Sequence, residues 1–287
     1  MRLEVITDPK AMAEACSVAR MSGLTIGFVP TMGYLHEGHL SLLRAARADC
    51  DTVVLSIFVN PIQFGPHEDY NRYPRDAERD LNLAKAIGVN LVFMPTVEDM
   101  YPQGYSTFVE VQGLTEKFEG AFRPGHFRGV ATVVLKLFNI VQPHRAYFGQ
   151  KDYQQLLVVR RMVQDLNLPI EIVPMPTVRE SDGLAMSSRN TYLSAEERRA
   201  ALAIPRALNA CREALERGER IASEVRRAGL AVIESEPMLS LDYLAVAHPE
   251  TLEEPDVVGS SAVVLIAARC GSTRLIDNIL WEEAGGT

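Results

Sequence analysis

Two histidines three residues apart form the most chemically suggestive local pattern in this 287-residue sequence. His36 and His39 lie in the segment PTMGYLHEGH, residues 30–39, which directly follows an apolar, strand-like run and opens a segment of helical periodicity. The free N–H groups at a helix N-terminus bind phosphate readily, and imidazoles beside them can donate to charge that develops on phosphoryl oxygens. The segment therefore predicts a site for a phosphate-bearing ligand.

A zinc site is the competing interpretation of this segment, because His-Glu also begins the zinc-binding motif H-E-x-x-H. That motif needs histidines four residues apart on a helix, whereas His36 and His39 are three apart with Gly38 between them. The spacing therefore argues against zinc. Two ordinary loop histidines near a turn remain the alternative if the segment is considered alone.

A second segment, Met186–Asn190 (MSSRN), places two hydroxyl groups beside an arginine. Arginine makes paired hydrogen bonds to phosphate, and serine adds neutral ones, so this segment could bind a polyphosphate from the opposite side and close over it. The same composition is also common in loops without a function.

The elements that must position these segments follow a parallel α/β pattern over residues 1–176. Short runs rich in β-branched or aromatic residues predict buried strands: Leu24–Pro30, Thr52–Asn60, Asn90–Pro95, Arg145–Gly149 and Ile170–Val173. Segments of helical period alternate with them: Gly38–Ala48, Asp76–Ile87, Val130–Val141 and Tyr153–Leu166. The pattern predicts a Rossmann-like, doubly wound sheet, with Gly88 as a helix C-cap.

The composition of the sequence changes after a polar turn near Pro174–Ser181. Helices rich in Arg and Glu begin at Ser194, and two strand-like runs follow at Leu241–Ala247 and Ala262–Ala268. We expect a smaller α+β domain over residues 177–287 that closes over the nucleotide.

Composition narrows the class of protein. The 37 acidic and 29 basic residues give a net charge of −8, which argues against a general nucleic-acid binder. The four cysteines form no Cys-x-x-Cys pair and are expected to be buried free thiols. The N-terminus lacks the apolar core of a signal peptide, and no uncharged run reaches the length of a membrane span. We therefore expect a cytoplasmic protein that binds no membrane.

The two segments together resemble the nucleotidyltransferase superfamily that includes class I aminoacyl-tRNA synthetases. Within it, the sequence is similar to the pantoate–β-alanine ligase family. Six separate motifs carry this resemblance in the family's order: residues 30–39, Val59–Gly65, Tyr73–Arg75, Arg123–Gly129, Phe148–Gln155 and Arg179–Asn190, the last of which contains the second segment. The C-terminal hundred or so residues resemble the family more in general composition and pattern than in specific motifs.

The resemblance implies a two-step reaction that belongs to coenzyme A biosynthesis. Pantoate attacks the α-phosphate of ATP to give pantoyl adenylate and pyrophosphate, and the amine of β-alanine then displaces AMP to give pantothenate. The resemblance also implies Mg²⁺ with ATP and a homodimer. Such chemistry needs positioning and charge stabilisation rather than a covalent nucleophile.

Site residues can be assigned on the same basis. We expect catalytic roles for His36, His39, Lys151 and Arg189, and the resemblance makes His39 the general acid. The residues expected to contact ATP are Met32, Gly33, Tyr34, Leu35, His36, Glu37, Gly38, His39, Gly149, Gln150, Lys151, Asp152, Val178, Met186, Ser187, Ser188 and Arg189. The resemblance assigns Gln63 and Gln155 to pantoate, with Asn60 nearby and Gln63 also close to the β-alanine amine. It assigns no residue as a metal ligand.

The residue types at Gly149–Asp152 suit the roles expected of them. Gly149 would let ATP approach the backbone, the Lys151 ammonium can reach the α-phosphate, and Asp152 can accept from ribose hydroxyls. An exposed Lys151–Asp152 ion pair at a helix start, with Asp152 as the cap, is the simpler alternative.

Four other ionisable residues lie outside these assignments. Arg123, His126 and Arg128 could steer anions, order a loop or form ion pairs, and we favour a structural role. Asp80 could approach a metal, but a solvated carboxylate is the default in its charged helix.

Three other functions are the alternatives to this ligase. Another nucleotidyltransferase of the superfamily would share the His36–His39 segment but would have no use for an amine pocket. A nucleotide sensor without turnover is compatible with the same residues. A dinucleotide dehydrogenase is disfavoured, because no G-x-G-x-x-G follows the first strand.

Overall fold

The computed structural model describes residues 3–283, which group into two compact units. The first unit holds most of the chain up to Thr177. Two short segments, Lys117–Phe122 and Lys151–Tyr153, group instead with the second unit, which otherwise begins at Val178. The domain boundary between residues 176 and 177 stays a prediction, and the structure adds these two earlier segments to the second unit.

The first unit is built on a parallel sheet of six strands. In chain order they are β1 (Glu4–Ile6), β2 (Ile26–Thr31), β3 (Thr52–Ile57), β4 (Leu91–Phe93), β5 (Arg145–Gly149) and β6 (Glu171–Met175). Their spatial order is β1-β4-β3-β2-β5-β6, so the order of connection reverses between β2 and β5. Doubly wound sheets bind ligands at this point, outside the carboxyl ends of the strands. The predicted Rossmann-like fold is confirmed.

Helices pack against this sheet, and others belong to the second unit. Those of 13 or more residues are α1 (Pro9–Met21), α2 (Glu37–Asp49), α6 (His126–Val141), α7 (Tyr153–Asp165), α9 (Ala203–Glu216) and α10 (Ala222–Glu234). The shorter ones are α3 (Ala77–Ile87), α4 (Val97–Met100), α5 (Glu119–Phe122) and α8 (Ala195–Ala201). Three short 3-10 helices span Pro61–Gln63, Gln150–Asp152 and Ser188–Tyr192.

The central strands are mostly apolar because both faces of the sheet are covered. On one face, Phe28 and Val54 belong to a core that also contains the buried side of α6. On the other face, Val29 and Leu55 pack with α2. Adjacent strand residues point to opposite faces, so both must be apolar when both faces are buried.

Local signals set the bounds of α3, the helix that approaches the predicted phosphate segment. The Asp76 side chain accepts a hydrogen bond from the backbone N–H of Arg79 at 3.1 Å and caps the start of the helix. Gly88 ends it in the left-handed conformation at φ +92°, which confirms its predicted role as C-cap.

The second unit combines α8, α9 and α10 with an antiparallel sheet. Its strands are β7 (Leu239–Ala247), β8 (Ser261–Cys270) and β9 (Thr273–Glu282), with β8 in the centre. The α5 segment belongs here because the Glu119 carboxylate accepts from Arg274 at 2.7 Å and from Tyr243 at 3.0 Å. The expected α+β architecture is therefore confirmed.

All four cysteines are buried free thiols, as expected. Burial raises the pKa of Cys16 to about 11, and it raises the pKa of Cys211 to the same value. Within residues 3–283, no helix has both the length and the apolar composition that a membrane crossing requires.

The structure contains elements that the sequence pattern did not predict. Strand β1 and helix α1 precede the first predicted strand, α10 follows the Arg/Glu-rich helices, and β9 adds a third strand to the second sheet. Helix α6 begins at His126, four residues before its predicted start, so the segment Arg123–Gly129 runs into the helix.

Candidate active site

The segment that carries the two histidines connects β2 to α2 at the point where the strand order reverses. Gly33 and Tyr34 are consecutive left-handed residues, at φ +83° and +51°, and they turn the chain sharply after the strand. A Cβ atom on Gly33 would lie 2.9 Å from the Ile57 Cγ2 atom, so a side chain there would clash as well as strain the backbone. The sequence therefore needs glycine here.

The two imidazoles stack at the start of α2. Their ring centroids are 4.0 Å apart at an interplanar angle of 31°, and His36 is the N-cap residue of the helix. The backbone N–H of His36 donates to Nδ1 of His39 at 3.3 Å. This bond leaves Nε2 to carry the proton of the neutral His39 ring, so that atom is suited to donate to a ligand.

Two side chains of this segment point away from any ligand at the strand ends. Leu35 is fully buried in the core beside α2, and the Glu37 carboxylate pairs with Arg44 on the exposed side of the helix. Only the backbone of these two residues can serve the expected contact with ATP.

Asp80 on α3 binds the backbone of the same segment from its buried side. Its side chain is 1% exposed, and its two carboxylate oxygens accept from the backbone N–H groups of Tyr34 and Leu35, each at 2.7 Å. Burial raises the pKa of this carboxyl group, although these two hydrogen bonds oppose the shift. The expectation of a solvated carboxylate is wrong, because the helix turns this residue toward the loop.

Gln63 lies in a polar cluster beside the same loop. Its Oε1 atom accepts from the Asn60 side-chain amide at 3.0 Å, and its Nε2 atom lies 3.4 Å from the sulfur of Met32. The Tyr101 hydroxyl donates to Asn60 Oδ1 at 2.7 Å and fixes which way the Asn60 amide faces. Both amides are buried, and they lie next to the phosphate-binding candidate.

Helix α6 supports this cluster through an unusually close approach at Gly129. A Cβ atom there would lie 2.5 Å from the carbonyl oxygen of Ile62 and 2.7 Å from the Cα of Gln63. Gly129 also offers its carbonyl oxygen to the Asn60 amide at 3.2 Å. The backbone of the Gln63 segment can reach the helix only because residue 129 has no side chain.

The cationic group at the start of α6 separates into two parts. Arg123 forms a two-pronged ion pair with Glu68, with both N···O distances 2.7 Å, and also lies 3.1 Å from Nε2 of His126. Arg128 instead stacks over the ring of Phe108 at 4.1 Å. Burial alone would raise the pKa of Glu68, but the hydrogen bonds and charge of Arg123, together with the backbone N–H at Gly65 and the charge of His126, lower it overall. These contacts support the structural role favoured from the sequence, which stays a prediction.

The end of β5 is open at Gly149. A Cβ atom added there would meet no described atom within 4 Å, so a ligand has room to approach the backbone. Gln155, the third residue of α7, has a partly exposed side chain. Within residues 3–283 it makes no hydrogen bond to Gln63 or Asn60, and its expected role in binding pantoate stays a prediction.

Lys151 is held through its backbone by the second unit. Its carbonyl oxygen accepts from the side-chain amide of Asn278 at 2.8 Å. The neighbouring Asp277 forms a two-pronged ion pair with Arg179, at 2.6 and 2.9 Å. Among residues 3–283 the Lys151 ammonium makes no hydrogen bond or ion pair, so the charge is available to a ligand.

A hairpin in the second unit brings Val178 next to the Met-Ser-Ser-Arg segment. The backbone N–H of Met186 donates to the carbonyl of Val178 at 3.0 Å, and Arg179 pairs with Ala185. Ser187 then caps the 3-10 helix that contains Arg189, by accepting from the Arg189 backbone N–H at 3.3 Å. The residue expected at adenine and those expected at the phosphates are therefore neighbours.

Glu180 ties this segment to α8. It accepts from the Asn190 amide at 2.8 Å and forms a two-pronged ion pair with Arg198, which also binds Asp182 at 2.7 Å. Hydrogen bonds from Arg198 lower the pKa of Glu180 and that of Asp182. The ion-paired cluster fixes the base of the loop that presents Ser187 and Arg189.

Within each unit, the structure brings together most of the predicted site residues. The first unit gathers His36, His39, Met32, Gln63 and Asn60. The second unit gathers Val178 with Met186–Arg189. The sequence reasoning missed Asp277 and Asn278, and it did not anticipate how Asp80 acts. Two adjacent polar residues within the apolar run at 275–281 were the available signal for the first two.

The family model described as "Pantoate-beta-alanine ligase" matches residues 4–280. Two similar curated proteins are both named pantothenate synthetase. The one from Moorella thermoacetica is 57% identical over 98% of this chain and 99% of its own length. The one from Acetivibrio thermocellus is 53% identical, with the same coverage.

Solved structures agree with this comparison. A pantothenate synthetase from Thermus thermophilus superposes with a TM-score of 0.91 at 53% identity, covering 96% of this chain and 98% of its own. A pantoate-beta-alanine ligase from Francisella tularensis, complexed with beta-gamma ATP and beta-alanine, gives a TM-score of 0.79 at 32% identity, with 97% and 98% covered. The chain that places His36 and His39 at the switch point of its sheet belongs to the pantoate–β-alanine ligase family.

Proposed function

We propose that this protein condenses pantoate with β-alanine to form pantothenate, using ATP to activate the pantoate carboxylate. The reaction has two steps, adenylation of pantoate followed by amide formation with release of AMP. The observation that carries the proposal is the His36–His39 loop at the strand-order reversal, in a chain whose whole length matches this ligase family.

In the first step, a carboxylate oxygen of pantoate attacks the α-phosphorus of ATP, and the bond to the pyrophosphate oxygen breaks. Negative charge grows on the phosphoryl oxygens and on the leaving pyrophosphate. His36 and His39 donate hydrogen bonds to that charge, and His39 acts as the general acid. The His36 N–H donates to His39 Nδ1, so a neutral His39 ring carries its proton on Nε2, which supports hydrogen-bond donation to the leaving pyrophosphate.

In this proposal ATP also contacts residues outside the histidine loop. Lys151 brings its ammonium to the α-phosphate, and Asp152 accepts from the ribose hydroxyls. Val178 offers main-chain groups to adenine, while Ser187, Ser188 and Arg189 bind the phosphates. The unpaired Lys151 ammonium and the hairpin that joins Val178 to Met186 support this assignment.

Gln63 and Gln155 bind pantoate through neutral amides, with Asn60 beside them. A neutral donor holds the substrate carboxylate without neutralising it, so the carboxylate oxygen remains a nucleophile. An arginine at the same place would form a strong ion pair and lower the reactivity of that oxygen. The buried amide cluster around Gln63 supports this role.

In the second step, the uncharged amine of β-alanine attacks the carbonyl carbon of the bound pantoyl adenylate. The bond to the phosphate oxygen breaks, AMP leaves, and the amine loses a proton as the amide forms. Gln63 lies close to the incoming amine in this proposal. The protein contributes by holding the two reactants in register and by excluding water from the reactive anhydride.

Mg²⁺ enters the proposal with ATP. Within residues 3–283, no group of three or more His, Cys, Asp and Glu side chains could hold a metal ion. A magnesium ion that enters with ATP would be bound mainly by the substrate phosphates and water, as is common at nucleotide sites. Lys151 and the histidines would then share the phosphate charge with the ion. We further propose a cytoplasmic homodimer acting in coenzyme A biosynthesis.

The test is isotope exchange between labelled pyrophosphate and ATP. We expect exchange that requires pantoate and not β-alanine, and release of AMP and pantothenate once β-alanine is added. Absence of exchange in the wild-type protein would favour a nucleotide sensor. A product that retains AMP after β-alanine is added would favour a different nucleotidyltransferase.

A further inference from the structure

Two successive backbone N–H groups in the histidine loop point toward the interior of the protein and not toward solvent. They belong to Tyr34 and Leu35, and they converge because Gly33 and Tyr34 both adopt left-handed conformations. Such a concave pair of donors is a strong anion-binding arrangement in proteins. Here the anion is already present, since both donors bind Asp80.

Asp80 is built into this position. Its carboxylate is 1% exposed, and its two oxygens each receive one backbone hydrogen bond of 2.7 Å. A Cβ atom on Gly33 would lie 3.1 Å from one of these oxygens, so the absence of a side chain there lets the loop settle onto the carboxylate. A charged acceptor makes shorter and stronger hydrogen bonds than a neutral one.

Arg79 reinforces the contact from the outside. Its guanidinium lies 3.8 Å from the Asp80 carboxylate and 5.2 Å from the centroid of the Tyr34 ring. The same helix therefore holds the loop by its backbone and by its one aromatic side chain. Both contacts act immediately before His36, the residue that starts α2.

We propose that Asp80 is a positioning residue for adenylation. By fixing the backbone of Tyr34 and Leu35, it sets the direction in which the chain enters α2 and hence the placement of the two stacked imidazoles. Asp80 does not itself touch the nucleotide, because its carboxylate is buried and engaged by the loop. This inference rests on the proposed function, in which His36 and His39 act on the phosphates.

The test variant is Asp80→Asn, which keeps the side-chain shape but turns one acceptor into a donor. One of the two loop N–H groups then faces an N–H₂ group, and the loop shifts away from its place. We expect pantoate-dependent pyrophosphate exchange to fall by roughly tenfold to a hundredfold, because displacements of about 1 Å have effects of this size. Glu78→Gln, an exposed acidic residue on the same helix, is the matched control and should retain wild-type exchange.

A double-mutant cycle separates positioning from a general loss of folded protein. In a background that carries His36→Ala and His39→Ala, adding Asp80→Asn should lower single-turnover adenylation less than twofold, because the groups it positions are gone. A purely structural role would multiply the losses, and that result would overturn the proposal. Rates are normalised to folded protein, measured by the amplitude of thermal unfolding.

Gly33→Ala provides a second route to the same contact if Asp80→Asn folds poorly. The added methyl group lies on the loop and pushes it away from the Asp80 carboxylate and Ile57. It should reproduce the loss of exchange. Wild-type exchange in either folded variant contradicts the inference about Asp80. Absence of exchange in the wild-type protein would instead contradict the proposed function, so the two failures are distinguishable.

Discussion

His126 donates from Nδ1 to the backbone carbonyl of Gln63 across 2.9 Å. The tautomer follows from the other ring nitrogen: Arg123 lies 3.1 Å from Nε2 and can only donate, so Nε2 must accept and Nδ1 must carry the proton. Arg123 is in turn held by Glu68. A line of hydrogen bonds therefore runs from the 66–73 segment to the backbone of Gln63, the residue proposed to bind pantoate.

The first prediction concerns this contact. His126→Ala leaves the carbonyl of Gln63 without its donor in a buried site, a loss of about 1–3 kcal/mol. We expect the KM for pantoate to rise at least fivefold while the KM for ATP changes less than twofold. His126→Asn keeps a donor near the Nδ1 position and should lie between Ala and wild type. Equal rises in both KM values would contradict the selective role.

The second prediction concerns the proton on His39. His39→Ala should lower pantoate-dependent pyrophosphate exchange by about a hundredfold, the usual effect of losing one preorganised donor. His39→Gln places an amide donor near the Nε2 position and should retain more activity than His39→Asn. His248→Gln, at an exposed position in the second unit, is the control. Equal loss in the Gln and Asn variants would show that Nε2 is not the donor.

The third prediction concerns the neutral amide at Gln63. Gln63→Arg should weaken adenylate formation more than it weakens ATP binding, because the new ion pair lowers the reactivity of the pantoate carboxylate. Single-turnover adenylation and equilibrium binding of an ATP analogue measure the two effects separately. A parallel loss of both would count against the proposed reason for glutamine at this position.

The fourth prediction concerns acid stability of the second unit. The folded-state pKa values of Glu180 and Asp182 are lowered by Arg198. The stability they contribute is therefore present above their unfolded pKa values, near 4.5 and 3.8, and is lost as pH falls through the lowered folded-state values. Arg198→Gln should lower the free energy of unfolding by about 1 kcal/mol at pH 7, since the side chains are partly solvated. Urea unfolding of both proteins should give converging stabilities in acid.

The fifth prediction concerns Gly129. Alanine there forces its Cβ against backbone atoms of Ile62 and Gln63, which have no side-chain freedom with which to move away. We expect a loss of about 1–3 kcal/mol in unfolding free energy and a higher KM for pantoate. Gly259→Ala is the control, because an added Cβ there meets no atom within 4 Å and Gly259, like Gly129, does not have a positive φ.

The sequence was most informative where local pattern and tertiary environment agree. The strands β2, β3 and β5 carry mostly apolar residues on both faces because helices cover both faces, so composition alone predicted them. The three-residue strand β1 lies at the edge of the sheet and is too short to show periodicity. In β9, the adjacent buried residues Asp277 and Asn278 break the apolar run, and the strand was missed for that reason.

In the candidate site too, residues with a local sequence signal were predicted and those without one were not. His36 and His39 were identified because their function depends on a local sequence, the start of a helix after a strand. Asp80 acts on residues 45 and 46 positions earlier, and its helix looks solvated when considered alone. A partner so distant in the chain leaves no local pattern, so only the folded structure reveals that its carboxylate faces inward.

The burial of every cysteine has a practical consequence for the chemistry of the protein. A thiol reacts with alkylating agents and peroxides mainly as the thiolate, and the raised pKa values of Cys16 and Cys211 leave very little thiolate at neutral pH. We therefore expect the folded protein to keep its activity in iodoacetamide or mild peroxide and to need no reducing agent for storage. Labelling should appear only on unfolding, so the rate of thiol modification would report how fast either unit opens.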